Sequence, residues 1–312
     1  RSLDCSHTDR RKAPPDCQRH QTTGRGTLPG LPSPRERSVG LNSGTGVRSL
    51  NEKAESENSM PRPDKKPTDQ FSPAADRAQV RAVLEDGHPT DDALRLFRRL
   101  IYRYFNQQRR EFTWRNTHEP YAILVSEVML QQTQTSRVEQ KYETFLEKFP
   151  NFRALAESSL GEVLELWQGL GYNRRARMLR ETAQGVYREH EGELPDSYDE
   201  LIELPGIGPA TASAVLAFAF DEPIAFLETN IRRVYLFFFF PGQEDVRDTE
   251  LLAVARRALD HEEPRRWHYA LMDYGAALAE RVENPNRRSA RYRKQAPFEG
   301  SNRQIRGAIL RA

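Results

Sequence analysis

The sequence predicts an all-α protein. Three observations carry the prediction. Apolar residues recur at helical spacing from about residue 90 to residue 281, strand signals are nearly absent, and capping residues stand where the periodic stretches begin and end. Connections are short, as in a compact helical fold, and there is no internal repeat.

Thr90 is a good N-cap, with Asp91 and Asp92 in the first turn of a helix carrying Leu94, Phe97, Leu100, Ile101, Tyr104 and Phe105. A second helix is predicted from about Tyr121 to Gln131. A third follows Thr133, carries Val138, Tyr142, Phe145 and Phe149, and stops at Pro150. Leu160, Val163, Leu164 and Trp167 mark a fourth, ended by Gly169, and a fifth runs from Arg174 to about His190. The Ser197–Glu203 helix enters a Leu-Pro-Gly-Ile-Gly turn, and Pro209 opens the next helix at the favoured N1 position. Later helices are predicted over about Asn230–Phe239, Thr249–Leu259 and Pro264–Arg281. The run Phe237–Phe240 reads as a buried helix end rather than a strand, because its lead-in is helical.

The 312 residues suffice for a substantial core. Residues 1–75 are rich in Pro, Gly, Ser and Arg with almost no apolar periodicity, and are expected to be disordered. The 59 residues ahead of Met60 read as a leader stretch. There is no secretory apolar core and no run long enough to span a membrane. Cys5 and Cys17, the only cysteines, lie in this tail, so the folded part can hold neither a disulfide nor an iron–sulfur cluster. A cytoplasmic location is expected, nucleoid-associated in a prokaryote. The net charge of +2 hides an asymmetry. Residues 281–312 hold nine Lys and Arg against two Asp and Glu, whereas the body is acidic, so the C-terminal segment is either a strap for a polyanion or a basic tail.

Four segments carry candidate chemistry. In Leu204-Pro205-Gly206-Ile207-Gly208, two glycines let the backbone approach an anion, and the helix start behind adds a positive dipole end; an ordinary interhelical turn is the plainer reading. In Ser126–Gln134, Glu127 sits in an apolar stretch that would raise its pKa towards that of a general acid, and Gln131 shares its helix face; a solvated Glu is the alternative. In Gly169–Arg177, a glycine turn presents Tyr172 and then arginines, a ring to enter a base stack and cations to meet phosphates. In Leu227-Glu228-Thr229-Asn230 a carboxylate precedes a helix, where simple capping by Thr229 or Asn230 explains the residues equally well.

In this order, the four segments resemble the helix-hairpin-helix DNA glycosylase superfamily, and most of all its adenine-specific (A/G mismatch) branch; Met272-Asp273-Tyr274-Gly275 resembles a later family element. The resemblance covers roughly residues 85–280. It implies two helical domains with a DNA-binding cleft between them: residues 119–222 as a six-helix domain with the hairpin at about 197–220, and residues 80–118 plus 223–312 as the second, with the basic C-terminal segment. It implies a monomeric, monofunctional glycosylase of base excision repair that flips a mispaired base out of double-stranded DNA, with adenine opposite G or 8-oxoguanine as the expected substrate. Glu127 and Glu228 would be catalytic. Gln131, Gln132, Thr133, Tyr172, Arg174, Gly206, Ile207, Gly208 and Asn230 would bind DNA or the base, and a monovalent cation at the hairpin is allowed.

Departures from the family pattern accompany the match. Glu228 stands where the family has Asp, Ala210 stands where lyase relatives carry a lysine, and the cluster cysteines are missing. The chain ends at Ala312 within a predicted helix after Ser301, without a domain to read 8-oxoguanine. A uracil or thymine mismatch glycosylase and a non-catalytic helix-hairpin-helix DNA-binding protein remain as alternatives.

Overall fold

In the computed structural model, residues 71–86, 88–293, 299–300 and 304–305 are described. Among them are twelve α-helices and two short 3-10 turns, with isolated β-bridges in place of strands. The helices are α1 (Pro73–Arg81), α2 (Asp91–Gln108), α3 (Pro120–Leu130), α4 (Thr135–Lys148), α5 (Phe152–Glu157), α6 (Leu160–Trp167), α7 (Arg174–Glu189), α8 (Tyr198–Glu203), α9 (Pro209–Ala219), α10 (Thr229–Phe239), α11 (Asp248–Ala258) and α12 (Pro264–Arg281).

The predicted caps work locally. The Thr90 hydroxyl accepts from Ala93 N–H at 3.1 Å, and Ser197 accepts from Glu200 N–H at 3.3 Å. Ser159 and Glu162 form a reciprocal capping box at the start of α6. Three expectations need correction. Structure begins within the stretch expected to be disordered: Phe71 packs on Tyr104 and Tyr274, with ring centroids 4.6 and 5.1 Å away, and α1 follows. Its nine residues are too polar to show a helical stripe in sequence. Residues 119–222 hold seven α-helices rather than six, because the short α5 was not legible in the sequence. The cap of α10 is Glu228 itself, not Thr229 or Asn230. Residues 1–70 and most of the helix expected after Ser301 lie outside the described residues.

α10 packs on α12, α12 on α2, and α1 and α11 complete that group; α3 packs on α9, α5 on α7, and α4, α6 and α8 fill around them. α9 also touches α12. The first group is cored by aromatics. Phe97 meets Tyr235, Phe238, Phe239 and Trp267 at 5.0–5.7 Å, which explains the phenylalanine run as the buried end of α10. No described helix is long and apolar enough to cross a membrane.

Candidate active site

α3 is apolar almost all round, with eight of its eleven residues buried, so Glu127 is a carboxyl set in a hydrocarbon wall. Burial, and then the charge of Glu228, push the Glu127 carboxyl up to about 8, with Arg115 opposing. Glu127 therefore holds its proton at neutral pH. The charge of Glu228 thus acts on the Glu127 carboxyl, and the two groups are electrostatically coupled.

Glu228 is treated differently by its surroundings. Its Oε1 accepts Ile231 N–H at 2.6 Å as the N-cap of α10, and its Oε2 lies 3.4 Å from Asn230 Nδ2. Burial raises its pKa, while the backbone N–H groups of Asn230 and Ile231 and the cations Arg233 and Arg232 pull it back. The helix N-terminus favours the anion. One carboxyl is thus furnished as a proton donor, the other with partners for its negative form.

Behind Glu228, Arg233 donates to Asn230 Oδ1 at 2.6 Å and to Gly275 O at 2.7 Å. Asn230 is thereby occupied as a spacer between α10 and α12. Gly275 lets the two backbones close up, since a Cβ there would sit 2.4 Å from Asn230 O. One and two positions before this contact, α12 is pinned by hydroxyl and charge. The fully buried Asp273 carboxylate accepts from Arg110 Nε at 2.7 Å and from both Arg115 terminal nitrogens at 2.8 and 2.9 Å, and Tyr274 donates to buried Asp76 at 2.9 Å.

Gln131 lies one turn beyond Glu127 and donates to Thr211 Oγ1 at 3.1 Å, tying α3 to the first turn of α9. That turn follows the hairpin. Gly206 has φ +82°, and any Cβ on it would meet Met178 Cβ at 2.8 Å. Ile207 is buried, and its N–H closes the turn on Leu204 O at 3.2 Å. Ile207 therefore anchors the hairpin instead of presenting a donor, which leaves the Gly206 and Gly208 N–H groups to an outside acceptor. The hairpin opens on a groove of about 1030 Å³ that reaches Arg232, Arg256 and Arg291.

Gln132 and Tyr172 lie in the loops that meet just past the C-terminal end of α3, where Thr133 Oγ1 and Leu170 O are 3.3 Å apart. Gln132 is exposed, Tyr172 is 50% exposed, and both backbones are left-handed, with φ of +55° and +49°. That conformation costs a side-chain-bearing residue about 1–2 kcal/mol. The residue that holds them was missed in the sequence. Arg175 turns inward while its neighbour Arg174 stays exposed. Thr133 is equally committed: its hydroxyl accepts from Arg175 at 2.8 Å and lies 3.3 Å from Leu170 O, so it fastens the loop. Nothing in the periodicity distinguishes Arg175 from Arg174; only the placement of α3, forty residues earlier, does.

The segment from Asn286 to Arg306 stands where the family resemblance places cluster ligands, and residues 286–289 begin its described part. They offer amide, guanidinium and hydroxyl groups, a donor set that does not fit an iron–sulfur cluster. They fasten α10 at both ends: Asn286 donates to Thr229 O at 3.0 Å, and Arg288 donates to Leu236 O at 2.8 Å and to Phe240 O. Part of the basic C-terminal segment is thus turned inward.

An acid set in an apolar helix and coupled to a capped carboxylate, a glycine hairpin and two exposed stack-sized side chains define a helical base-excision architecture. Residues 125–255 match the family of HhH-GPD superfamily base excision DNA repair proteins. An adenine DNA glycosylase of Mycolicibacterium smegmatis is 34% identical over 226 residues, 66% of this chain and 76% of that protein. An adenine DNA glycosylase of Buchnera aphidicola subsp. Baizongia pistaciae is 41% identical over 136 residues, 44% of this chain and 39% of its own length. A solved thermostable thymine-DNA glycosylase superposes with a TM-score of 0.53 at 27% identity, covering 59% of this chain and 86% of that one. The chain belongs to the HhH-GPD superfamily of base excision DNA repair proteins. It spans about two fifths of the length of several curated relatives it matches, the Buchnera protein among them.

Proposed function

We propose that the protein is a monofunctional DNA glycosylase that removes adenine opposite G or 8-oxoguanine from double-stranded DNA. The observation that carries this reading is the pairing of Glu127, held protonated near neutrality, with Glu228, whose anion is met by a helix N-terminus and two arginines. The adenine DNA glycosylases to which the chain is similar supply the substrate class.

The chemistry follows from the two environments. With the base flipped out, Glu127 donates its proton to a ring nitrogen of the leaving base. The glycosidic C–N bond breaks and its electron pair leaves with the base. The sugar cation that remains is stabilised by the Glu228 carboxylate. Glu127, now a carboxylate, takes a proton from water as the water oxygen attacks C1′, which yields an abasic site and restores the acid. Glu228 is one methylene longer than the family's Asp, and its carboxylate caps α10 through the Ile231 N–H. Ala210 offers no amine for a Schiff base, so the strand is left intact. Gly206 and Gly208 N–H groups take a phosphate, with a monovalent cation as a candidate companion, and Arg174 meets the backbone as a point charge. The protein acts as a monomer without an iron–sulfur cluster, and its purified form shows no visible cluster absorption.

The test is a panel of duplexes carrying A·8-oxoG, A·G, U·G and T·G, incubated with the protein and then treated with alkali. Strand breaks only after alkali, at A·8-oxoG or A·G and abolished by Glu127→Gln, are expected. Breaks without alkali would contradict the monofunctional reading. Cleavage confined to T·G or U·G would favour the second reading, which the similarity to the thymine-DNA glycosylase supports. Tight binding with no release would leave a DNA-binding protein.

A further inference from the structure

We propose that Arg175 is the positioning residue that locks the two stack-entering side chains, Gln132 and Tyr172, to the helix that carries the acid. The proposal rests on the glycosylase reading and adds to it a part that neither composition nor motif assigns.

The guanidinium joins three pieces of chain. Nη1 donates to Val128 O at 2.7 Å and to Met129 O at 2.9 Å, two carbonyls of the last turn of α3. Such carbonyls have no partner inside their own helix. Nη2 donates to Thr133 Oγ1 at 2.8 Å, just past Gln132. It also donates to Leu170 O at 3.1 Å and Gly171 O at 3.0 Å, just before Tyr172. The plane lies between two rings, 5.4 Å from the Trp167 centroid and 5.7 Å from that of Tyr172, and Trp167 Nε1 adds a 3.1 Å bond to Gly171 O. Only a planar fork with donors on both ends spans these acceptors; an ammonium offers one point.

The geometry it holds is one the chain would not keep unaided. Gln132 and Tyr172 are left-handed residues with a side chain, and Tyr172 is preceded by Gly169 at φ +91° and Gly171 at φ +74°. Left-handed backbones of this kind persist where surrounding bonds over-determine them. Here every bond from Arg175 ends within four residues of one wedge or the other. Because Val128 and Met129 adjoin Glu127 in α3, both wedges and the acid share one reference frame. A wedge that enters the stack then brings the flipped base to the acid in a fixed register.

The experiment places 2-aminopurine at the target position of a duplex and reads the fluorescence rise per bound complex, alongside single-turnover base release and thermal unfolding. Arg175→Lys keeps the charge and is expected to cut the fluorescence rise and the release rate by about tenfold, a fixed-geometry loss, while the midpoint of unfolding stays within a few degrees. Arg174→Ala serves as contrast and is expected to weaken binding in a salt-dependent way without lowering the rise per complex. In a double-mutant cycle, Arg175→Lys and Tyr172→Ala are expected to be non-additive. Thr133→Val removes one acceptor and should reproduce a fraction of the loss if Arg175→Lys fails to fold. Additive effects, or release by Arg175→Lys equal to that of the parent, would overturn the proposal and leave the function intact. A parent protein that neither flips nor releases any base overturns the function and this role together.

Discussion

The two carboxyl groups influence one another, yet the walls behind them are built on different principles. Glu127 projects from a helix made almost wholly of buried apolar residues, and the end of that helix is fixed by hydrogen bonds from one arginine to backbone carbonyls. Glu228 begins a helix whose surroundings are threaded with charge: Arg232 with Asp248 at 2.8 Å, Arg233 against Asn230, and Asp273 between Arg110 and Arg115. The contrast shows how one residue type acquires two different electrostatic settings within one site. Hydrocarbon favours the neutral carboxyl at Glu127, whereas at Glu228 oriented N–H groups and cations oppose the rise that burial imposes. Arg115 belongs to both walls, since it pairs with Asp273 and also lowers the Glu127 pKa.

The contrast breaks most severely at Asp273. Asp273→Ala strands two arginines beside a fully buried vacancy and is expected to destabilise by about 3–5 kcal/mol in urea unfolding. Gly275→Ala drives a Cβ into Asn230 O and is expected to cost about 1–3 kcal/mol while displacing the cap at Glu228, so base release should fall further than stability does.

Glu127→Gln tests the other wall and has the opposite sign. The folded-state pKa of Glu127 lies above its ordinary 4.5, at about 8. Between those values the folded chain keeps a proton that the unfolded chain has lost, so stability falls as pH rises through that window. Removing the acid should therefore stabilise the protein at pH 8 by about 1–2 kcal/mol, after discounting for water at a partly open side chain, and should have little effect below pH 4. Thermal unfolding at the two pH values measures it. The gentlest probe is the pH profile of single-turnover release. It should hold to near pH 8 and fall above it as Glu127 ionises, with no such limb in the binding of duplex.

Much of this construction was readable beforehand, and the pattern of what was not is physical. Helix α12 was predicted to its ends, and α2 to its cap, because long amphipathic stretches with good termini carry their own signal. Helices α1 and α5 have nine and six residues, too few for periodicity to accumulate. At the site, the apolar setting of Glu127 lay in the sequence because its neighbours in α3 create it. The cap at Glu228 could not be separated from ordinary capping by Thr229 or Asn230 without φ and ψ at that position. Arg175 and Arg115 were invisible as clamps because their acceptors come from distant chain, Val128 and Met129 for one and Asp273 for the other.

The missing side chain at residue 275 has a genetic consequence. In a screen that scores only lost repair, a change there would rank with loss of Glu228 itself, although position 275 presents no group to any substrate. The distance between α10 and α12 is set by a single hydrogen atom. Intolerance at 275 would then report interhelical spacing rather than chemistry, and purified protein would be needed to tell the two apart.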